Sequence, residues 1–235
     1  MKIKDKLTIV IPSKNEGYVL YQCICYIAGQ RGIEGTRVIV ADVSDDSLSL
    51  KWLYNSVTDF GCALKIEVIE GGFPAQGRLN GSKLVTTPYM LFLDSDIMLT
   101  HRNIIRDVLR YDIDLVTVPF ITKVKWDWVF RIFDLFQWLS KLMGTPFAVG
   151  GFQLWNTETY WKLGGYNPEE LFAEDYSISK KVNPKNFKVH HTNYVYTSPR
   201  RFENKGVMWM FNVMIRSYLN RNNPEFFKKS HGYWD

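Results

Sequence analysis

"LTIVIPSKNEGYVLYQCICYIAGQ", Leu7 to Gln30, and the "TRVIVAD" that follows it at Thr36 to Asp42 read as strand, helix, strand. Leu7 to Pro12 is a continuous apolar run rich in β-branched residues, the pattern of a strand covered on both faces of a parallel sheet. Pro12 ends it. The polar residues that follow offer a helix entry through Ser13 or Asn15, and Gly29 closes the helix. The second apolar run ends on an acidic residue, Asp42. One βαβ unit is therefore written into the first forty residues.

The same alternation continues outward. The pattern predicts a helix over Ser47 to Phe60, a strand at "LKIEVIE" (Leu64 to Glu70), and a glycine-rich loop and helix within "GGFPAQGRLNGSKLVTTP" that lead into the strand "YMLFLDSD" (Tyr89 to Asp96). An α/β, doubly wound, mostly parallel sheet is expected, with ligands at the carboxyl ends of its strands. Three such ends carry the polar residues: Pro12 to Glu16, Asp42 to Asp46, and Asp94 with Asp96.

On a continuing strand, Asp94 and Asp96 in "MLFLDSDIML" would face the same way. At about 4 Å and an effective dielectric of roughly 20, two carboxylates repel by about 4 kcal/mol, so a cation, a donor cluster or hydration must compensate. Two readings fit. Hard oxygen ligands suit Mg²⁺ or Mn²⁺, whose remaining positions are filled by phosphate and water. An Asp-Ser-Asp turn that caps the next helix is the other. Asp42 and Asp46 can accept from a base or ribose, or cap a helix. Arg78 can donate to phosphate, or be a solvated helix residue.

Composition narrows the classes. A chain of 235 residues with 46% hydrophobic content can bury a continuous core, which excludes a disordered protein. Aromatics at 15% suit either a binder of bases and sugars or a core of large side chains. The formal charge of +5 is spread among 24 acidic residues, which favours a local phosphate site over a duplex-binding surface, and no nucleic-acid partner is expected. Cys23, Cys25 and Cys62 have neither zinc spacing nor the even count of a disulfide framework, and fit a reducing compartment. Without a signal-type apolar segment or a run of about 18 apolar residues, the expectation is a cytoplasmic chain with no membrane span.

After "DIDLVTVPF" the texture changes. "WDWVFRIFDLFQWLSKLM", residues 126–143, carries a narrow polar stripe (Asp127, Arg131, Asp134, Gln137, Lys141) on an apolar helix, which is either buried or a peripheral membrane contact. Glu174 and Asp175 open a further predicted helix among Leu171, Phe172 and Tyr176. One can be a partly desolvated general base, or both can be ordinary helix-start acids. "HHTNYVYTSPRRF" offers one histidine, His191, as a metal ligand and Arg200 with Arg201 as a diphosphate clamp, against a satisfied histidine and a solvated basic turn.

As a set these segments resemble the family 2 glycosyltransferases of the GT-A fold. "TIVIPSKNE" resembles the opening strand and P-x-x-N-E turn, "VIVADVSDDS" the V-D-D-x-S-x-D stretch, and "GRLNGSKLVTTPYMLFLDSD" the A-R-N-x-G helix running into a D-x-D. "VGGFQLWNTETYWKLGGYNPEELFAED" resembles the acceptor-side segment ending in an E-D pair, and "TSPRRFENKG" the T-S-x-R-R-aromatic element of small members. The match runs in the family's order over roughly the first two hundred residues, and ordered co-occurrence is more specific than any single motif.

The resemblance implies one GT-A domain over residues 1–235, with a nucleotide-sugar half at 1–100 and an acceptor half at 101–235. It implies a donor site of Pro12, Glu16, Asp42, Arg78, Asp94, Ser95, Glu174, Arg200 and Arg201, and a Mn²⁺ or Mg²⁺ site of Asp96 and Asp94 with His191. Asp175 would be the catalytic base of a one-step inverting transfer from a UDP- or GDP-sugar to a glycan, glycolipid or other hydroxyl acceptor. Ala41 and Leu79 depart from the family's Asp and Asn, and the Q-x-x-R-W element of processive synthases is absent. A sugar-phosphate nucleotidyltransferase and a non-catalytic carbohydrate or nucleic-acid binder are the competing classes. The first lacks its basic glycine-rich loop here, and the second has no need of an E-D pair beside a D-x-D.

Overall fold

The computed structural model describes residues 2–122 and 124–232, with all their side chains except those of residues 124, 201 and 202. Strands and helices alternate at first: β1 (Leu7–Ser13), α1 (Tyr18–Ala28), β2 (Arg37–Asp42), α2 (Ser47–Phe60), β3 (Lys65–Glu70), α3 (Pro74–Ser82) and β4 (Tyr89–Leu93). Then come β5 (Met98–Leu99), α4 (Ile104–Val108), β6 (Leu115–Thr117), β7 (Phe120–Ile121), α5 (Asp127–Leu142) and β8 (Phe152–Asn156). The remainder comprises α6 (Thr157–Lys162), α7 (Glu174–Ser179), β9 (Phe187–Val189), β10 (Val195–Tyr196), α8 (Arg200–Lys205), α9 (Val207–Leu219) and α10 (Pro224–Phe227).

A seven-stranded sheet runs β3-β2-β1-β4-β8-β6-β9, and a small second sheet pairs β5, β10 and β7. β1 is parallel to both β2 and β4, β2 to β3, and β6 to β9, while β8 is antiparallel to both its neighbours. This is the mixed, mostly parallel α/β sheet of the GT-A fold. The strand order reverses direction at β1 and β4, which opens a crevice at their carboxyl ends.

Alternate residues of each central strand feed opposite cores. Ile9, Ile11, Val38, Val40, Leu91 and Leu93 join one cluster, and Val10, Ile39, Met90 and Phe92 the other. Helix α1 covers the first with Leu20, Cys23, Ile24 and Ile27, each large aliphatic side chain contributing about 1.5–3 kcal/mol by burial. Helix α3 lies so close to β1 that a Cβ on Gly81 would come within 2.3 Å of Val10 Cγ1.

Two local expectations are corrected and one open choice is settled. Ser13 is still in β1, and Asn15 takes a left-handed backbone (φ 53°) while its side chain bonds Asp45 (2.8 and 3.0 Å), so α1 starts only after Gly17. Asp46 caps α2, accepting from Ser49 N at 2.7 Å. Strand β4 stops at Leu93, and the Asp94–Asp96 stretch is a turn closed by Ile97 N donating to Asp94 O at 3.1 Å. The two carboxylates therefore do not share a strand face.

The narrow polar stripe of α5 does not predict its exposed side. Gln137 is buried with Val129, Phe130 and Phe133, whereas Trp128, Leu135, Trp138 and Leu142 face outward. Among the described residues, no helix is long and apolar enough to cross a membrane.

Candidate active site

The crevice at the β1 and β4 ends opens into a cavity of about 1140 Å³. Its polar end is assembled from six distant segments: Pro12, Ser13 and Glu16 after β1, Arg78 on α3, the Asp94-Ser95-Asp96 turn, Gly150 and Gly151, Glu174 and Asp175 on α7, and Arg200 on α8.

Arg78 is the hub. Only 3% exposed, it donates from Nη2 to Asp94 Oδ1 (2.5 Å) and from Nη1 to Glu174 Oε1 (2.7 Å), with its guanidinium 5.3 Å from the Tyr166 ring centre. Burial opposes its charge, but Asp94, Tyr166, Glu174 and Asp175 outweigh it and hold the side chain protonated beyond the ordinary arginine range. Gly150 fits beneath it, because a Cβ there would stand 2.9 Å from Nη2. Arg78 is thus not a solvated helix residue: two carboxylates hold its Nη atoms, while its buried Nε has no partner. It pins the turn after β4 to the start of α7.

That pin places Asp175. Its Oδ2 accepts from Gly150 N at 2.9 Å and its Oδ1 from Tyr176 N at 2.8 Å. Burial first, then the Glu174 carboxylate, raise its pKa to about 7, against the opposing pull of the two N–H groups and Arg78. A carboxylate poised near neutrality can exchange a proton with a hydroxyl. The residue before the pair, Ala173, sits at φ 47° in the left-handed region, a conformation that costs a non-glycine residue about 1–2 kcal/mol.

At the mouth a second arginine bridges two carboxylates. Arg200 Nη2 lies 2.9 Å from Glu16 Oε2 and 3.6 Å from Asp96 Oδ2. Its presence there marks the spot as negative enough to hold a cation. Among the described residues, no group of three His, Cys, Asp or Glu converges as a metal cage. One or two aspartates beside an open cavity do fit a hard cation that takes its other ligands from phosphate and water; they do not fit a structural zinc site.

Other expected site residues lie elsewhere. His191 is exposed, with Nδ1 3.4 Å from Asp134 Oδ2 on α5, and does not line the cavity, because it lies in the turn after β9, beside that helix. Its neighbour His190 is buried against Tyr111 OH (2.9 Å). Asp42 turns to Ser44, accepting from its N (3.0 Å) and Oγ (2.9 Å), and it is Val43 that lines the cavity. The Arg201 side chain lies outside the described residues. Three residues of the site went unmarked in the sequence: Gly150, Ala173 and Tyr166. Gly150 stood in the open as part of "VGG", whereas nothing local distinguishes Tyr166 from a core aromatic or Ala173 from any helix-preceding alanine.

The fold and this arrangement define the class: a GT-A fold whose crevice gathers carboxylates and arginines. No protein-family model and no curated protein matches the sequence. Solved structures do match. The mannosyltransferase PcManGT from Pyrobaculum calidifontis, in complex with GDP-Man and Mn²⁺, superposes with a TM-score of 0.65 at 14% identity, over 81% of this chain and 56% of its own. Residues 1–349 of S. aureus TarS, in complex with UDP-GlcNAc, give 0.63 at 15% identity, over 82% and 58%. GalNAc-T7 with UDP, GalNAc and Mn²⁺ gives 0.58 at 14%, over 82% and 43%. The chain thus spans about half the length of the solved structures it resembles.

Proposed function

We propose that the chain is a metal-dependent, inverting glycosyltransferase of family 2 type that moves a sugar from a nucleotide-diphosphate donor to an acceptor hydroxyl. One observation carries the reading: Asp96 and Asp175, 79 positions apart in the chain, line the same cavity. The likeness to solved glycosyltransferases holding UDP- or GDP-sugars supports it.

Asp96, with Asp94, would hold Mn²⁺ or Mg²⁺, which when bound supplies positive charge to the departing diphosphate. Glu16, Ser95 and Pro12 border the donor's end of the cavity. Arg200, half exposed at the mouth between Glu16 and Asp96, would be available to the diphosphate. Arg78 and Glu174 position rather than react: they fix Asp175 through the start of α7. Asp175 accepts the proton of the acceptor hydroxyl as that oxygen bonds to the anomeric carbon. The bond from that carbon to the diphosphate breaks, and the nucleoside diphosphate leaves with the electron pair.

Release of UDP or GDP from a panel of nucleotide sugars, measured before and after chelation, tests the assignment. Turnover should require Mn²⁺ or Mg²⁺, and chelator-insensitive turnover removes the metal. Asp175→Asn should lower transfer by about 10²–10⁴-fold while donor affinity stays within a few-fold; full activity in that variant removes the base.

A further inference from the structure

The cavity extends well beyond the carboxylates. Its volume exceeds the roughly 300–1,000 Å³ typical of a single small-molecule site. The added space is an arm between α5 and α9, walled by Phe133, Phe136 and Phe147 on one side and by Met210, Val213 and Met214 on the other. Phe147 packs edge-on against Tyr176 at 5.8 Å, which joins this arm to the Asp175 floor.

Two further observations define what the arm can hold. The serine hydroxyls on its wall already have partners: Ser140 Oγ donates to Gln137 O (2.8 Å) and accepts from Phe147 N (2.9 Å), and Ser217 Oγ donates to Val213 O (2.8 Å). Apart from the buried, unpartnered Tyr176 Oη, which also lines the cavity, a sugar or peptide laid here would lose water and gain few hydrogen bonds. In α9, ten of thirteen residues are apolar or aromatic, yet only Ser217 is buried. Val207, Met210, Phe211 and Met214 pack against the main core on one side, and Met210, Val213 and Met214 also border the cavity. Met143 of the α5 end and Ile215 and Leu219 of α9, which border the cavity, are half or more exposed, as are Trp138 and Leu142 elsewhere on α5.

We propose that the acceptor is a long-chain lipid with a hydroxyl head, its hydrocarbon chain seated between α5 and α9 and its hydroxyl presented to Asp175. The inference rests on the glycosyl-transfer reading and names its acceptor class. The lipid oxygen takes the anomeric carbon, the diphosphate leaves with the electron pair of the broken bond, and the hydroxyl proton passes to Asp175. The aromatic and methionine walls are deformable and sequence-tolerant toward an alkyl chain.

Methyl, octyl and dodecyl β-glucoside, kept below their micelle concentrations, are the probes, with binding to the full chain measured by calorimetry. Each methylene moved from water into the arm is worth about fourfold in affinity, so dodecyl should bind at least about a hundredfold more tightly than methyl. Filling the arm with Met214→Trp, or Val213→Phe should the first not melt cooperatively, should weaken dodecyl binding about tenfold or more. Met208→Ser, outside the arm and 79% exposed, should leave that affinity within about twofold. Equal affinity for the three glucosides overturns the proposal, as does dodecyl binding indifferent to both filling variants. A second copy of the chain that excludes the probe as concentration rises, seen by sedimentation, overturns it too. Release of nucleotide from donor sugars, read in the same preparations, separates the two claims: turnover without chain discrimination sinks the lipid acceptor alone, and discrimination without turnover sinks the transfer reading.

Discussion

Arg78 and Arg200 each bridge two carboxylates from remote parts of the chain, and both face the same cavity, but their surroundings are opposite. Arg78 is sealed in, with side-chain exposure of 3%, between Asp94 and Glu174 and over Gly150. Arg200 spans Glu16 and Asp96 at the mouth with 53% of its side chain in solvent. The chemistry of the two pairs is the same, and the dielectric around them is not. Removing a buried cation strands two carboxylates that can no longer be solvated, whereas at the mouth water and salt take over. The inner arginine is a fastener, and the outer one, half in solvent, is a counterion whose loss water can compensate.

That contrast can be broken, beginning where the effect is largest. Arg78→Met should cost about 3–5 kcal/mol of stability in urea unfolding; a loss under about 1 kcal/mol would put the two arginines in the same category. The pH dependence comes next. If Asp175 is the proposed base, its raised pKa of about 7 means kcat/KM should rise about tenfold per pH unit below 7 and level off above it. The same shift makes a stability statement. A folded-state pKa above the unfolded one means the group favours the folded chain below the unfolded value near 3.8, and that contribution is lost as pH climbs through 7. Thermal melting should accordingly show the midpoint of Asp175→Asn gaining on the unsubstituted protein between pH 4 and pH 8.

Smaller effects sharpen the picture. Ala173→Gly relieves the left-handed backbone before Glu174 and should raise stability by about 1 kcal/mol in the same urea titration. Transfer should survive it if the strain is only tolerated, and fall if the fixed backbone aims Asp175. Arg200→Gln should change stability by under about 1 kcal/mol, with the difference shrinking further in high salt. Metal affinity, followed by Mn²⁺ titration, should rise in that variant because a competing cation has gone.

Much of the architecture could be read before any coordinates. The run from Leu7 to Leu93 declares itself through buried β-branched strands separated by helices, and Ser47 to Phe60 is a helix to the residue. The site was half legible. Asp94, Asp96, Glu174 and Asp175 stood out as acids in apolar surroundings, and the structure brings all four to one cavity. Strand alternation does not reach His191, because β9 ends at Val189 and the turn beyond it sets His191 beside Asp134. Asp42 accepts from Ser44 N and Oγ, and Val43 rather than Asp42 lines the cavity. For α5 the sequence leaves burial and a peripheral contact open; the structure buries Val129, Phe130, Phe133 and Gln137 and exposes Trp128, Leu135, Trp138 and Leu142.

Periodicity is a short-range property, and the sequence alone determined what depends on it: the sheet and its helices, the polar strand ends, and a chain with enough apolar mass to enclose them. What only the tertiary structure decided is the partner of each charge. Whether Arg78 meets water, phosphate or Glu174 depends on a contact across 96 positions, and the pKa of Asp175 follows from the burial and like charge that this contact creates. Electrostatic energy in an interior is set by distance and desolvation in three dimensions, and neither is written in the spacing of residues along the chain.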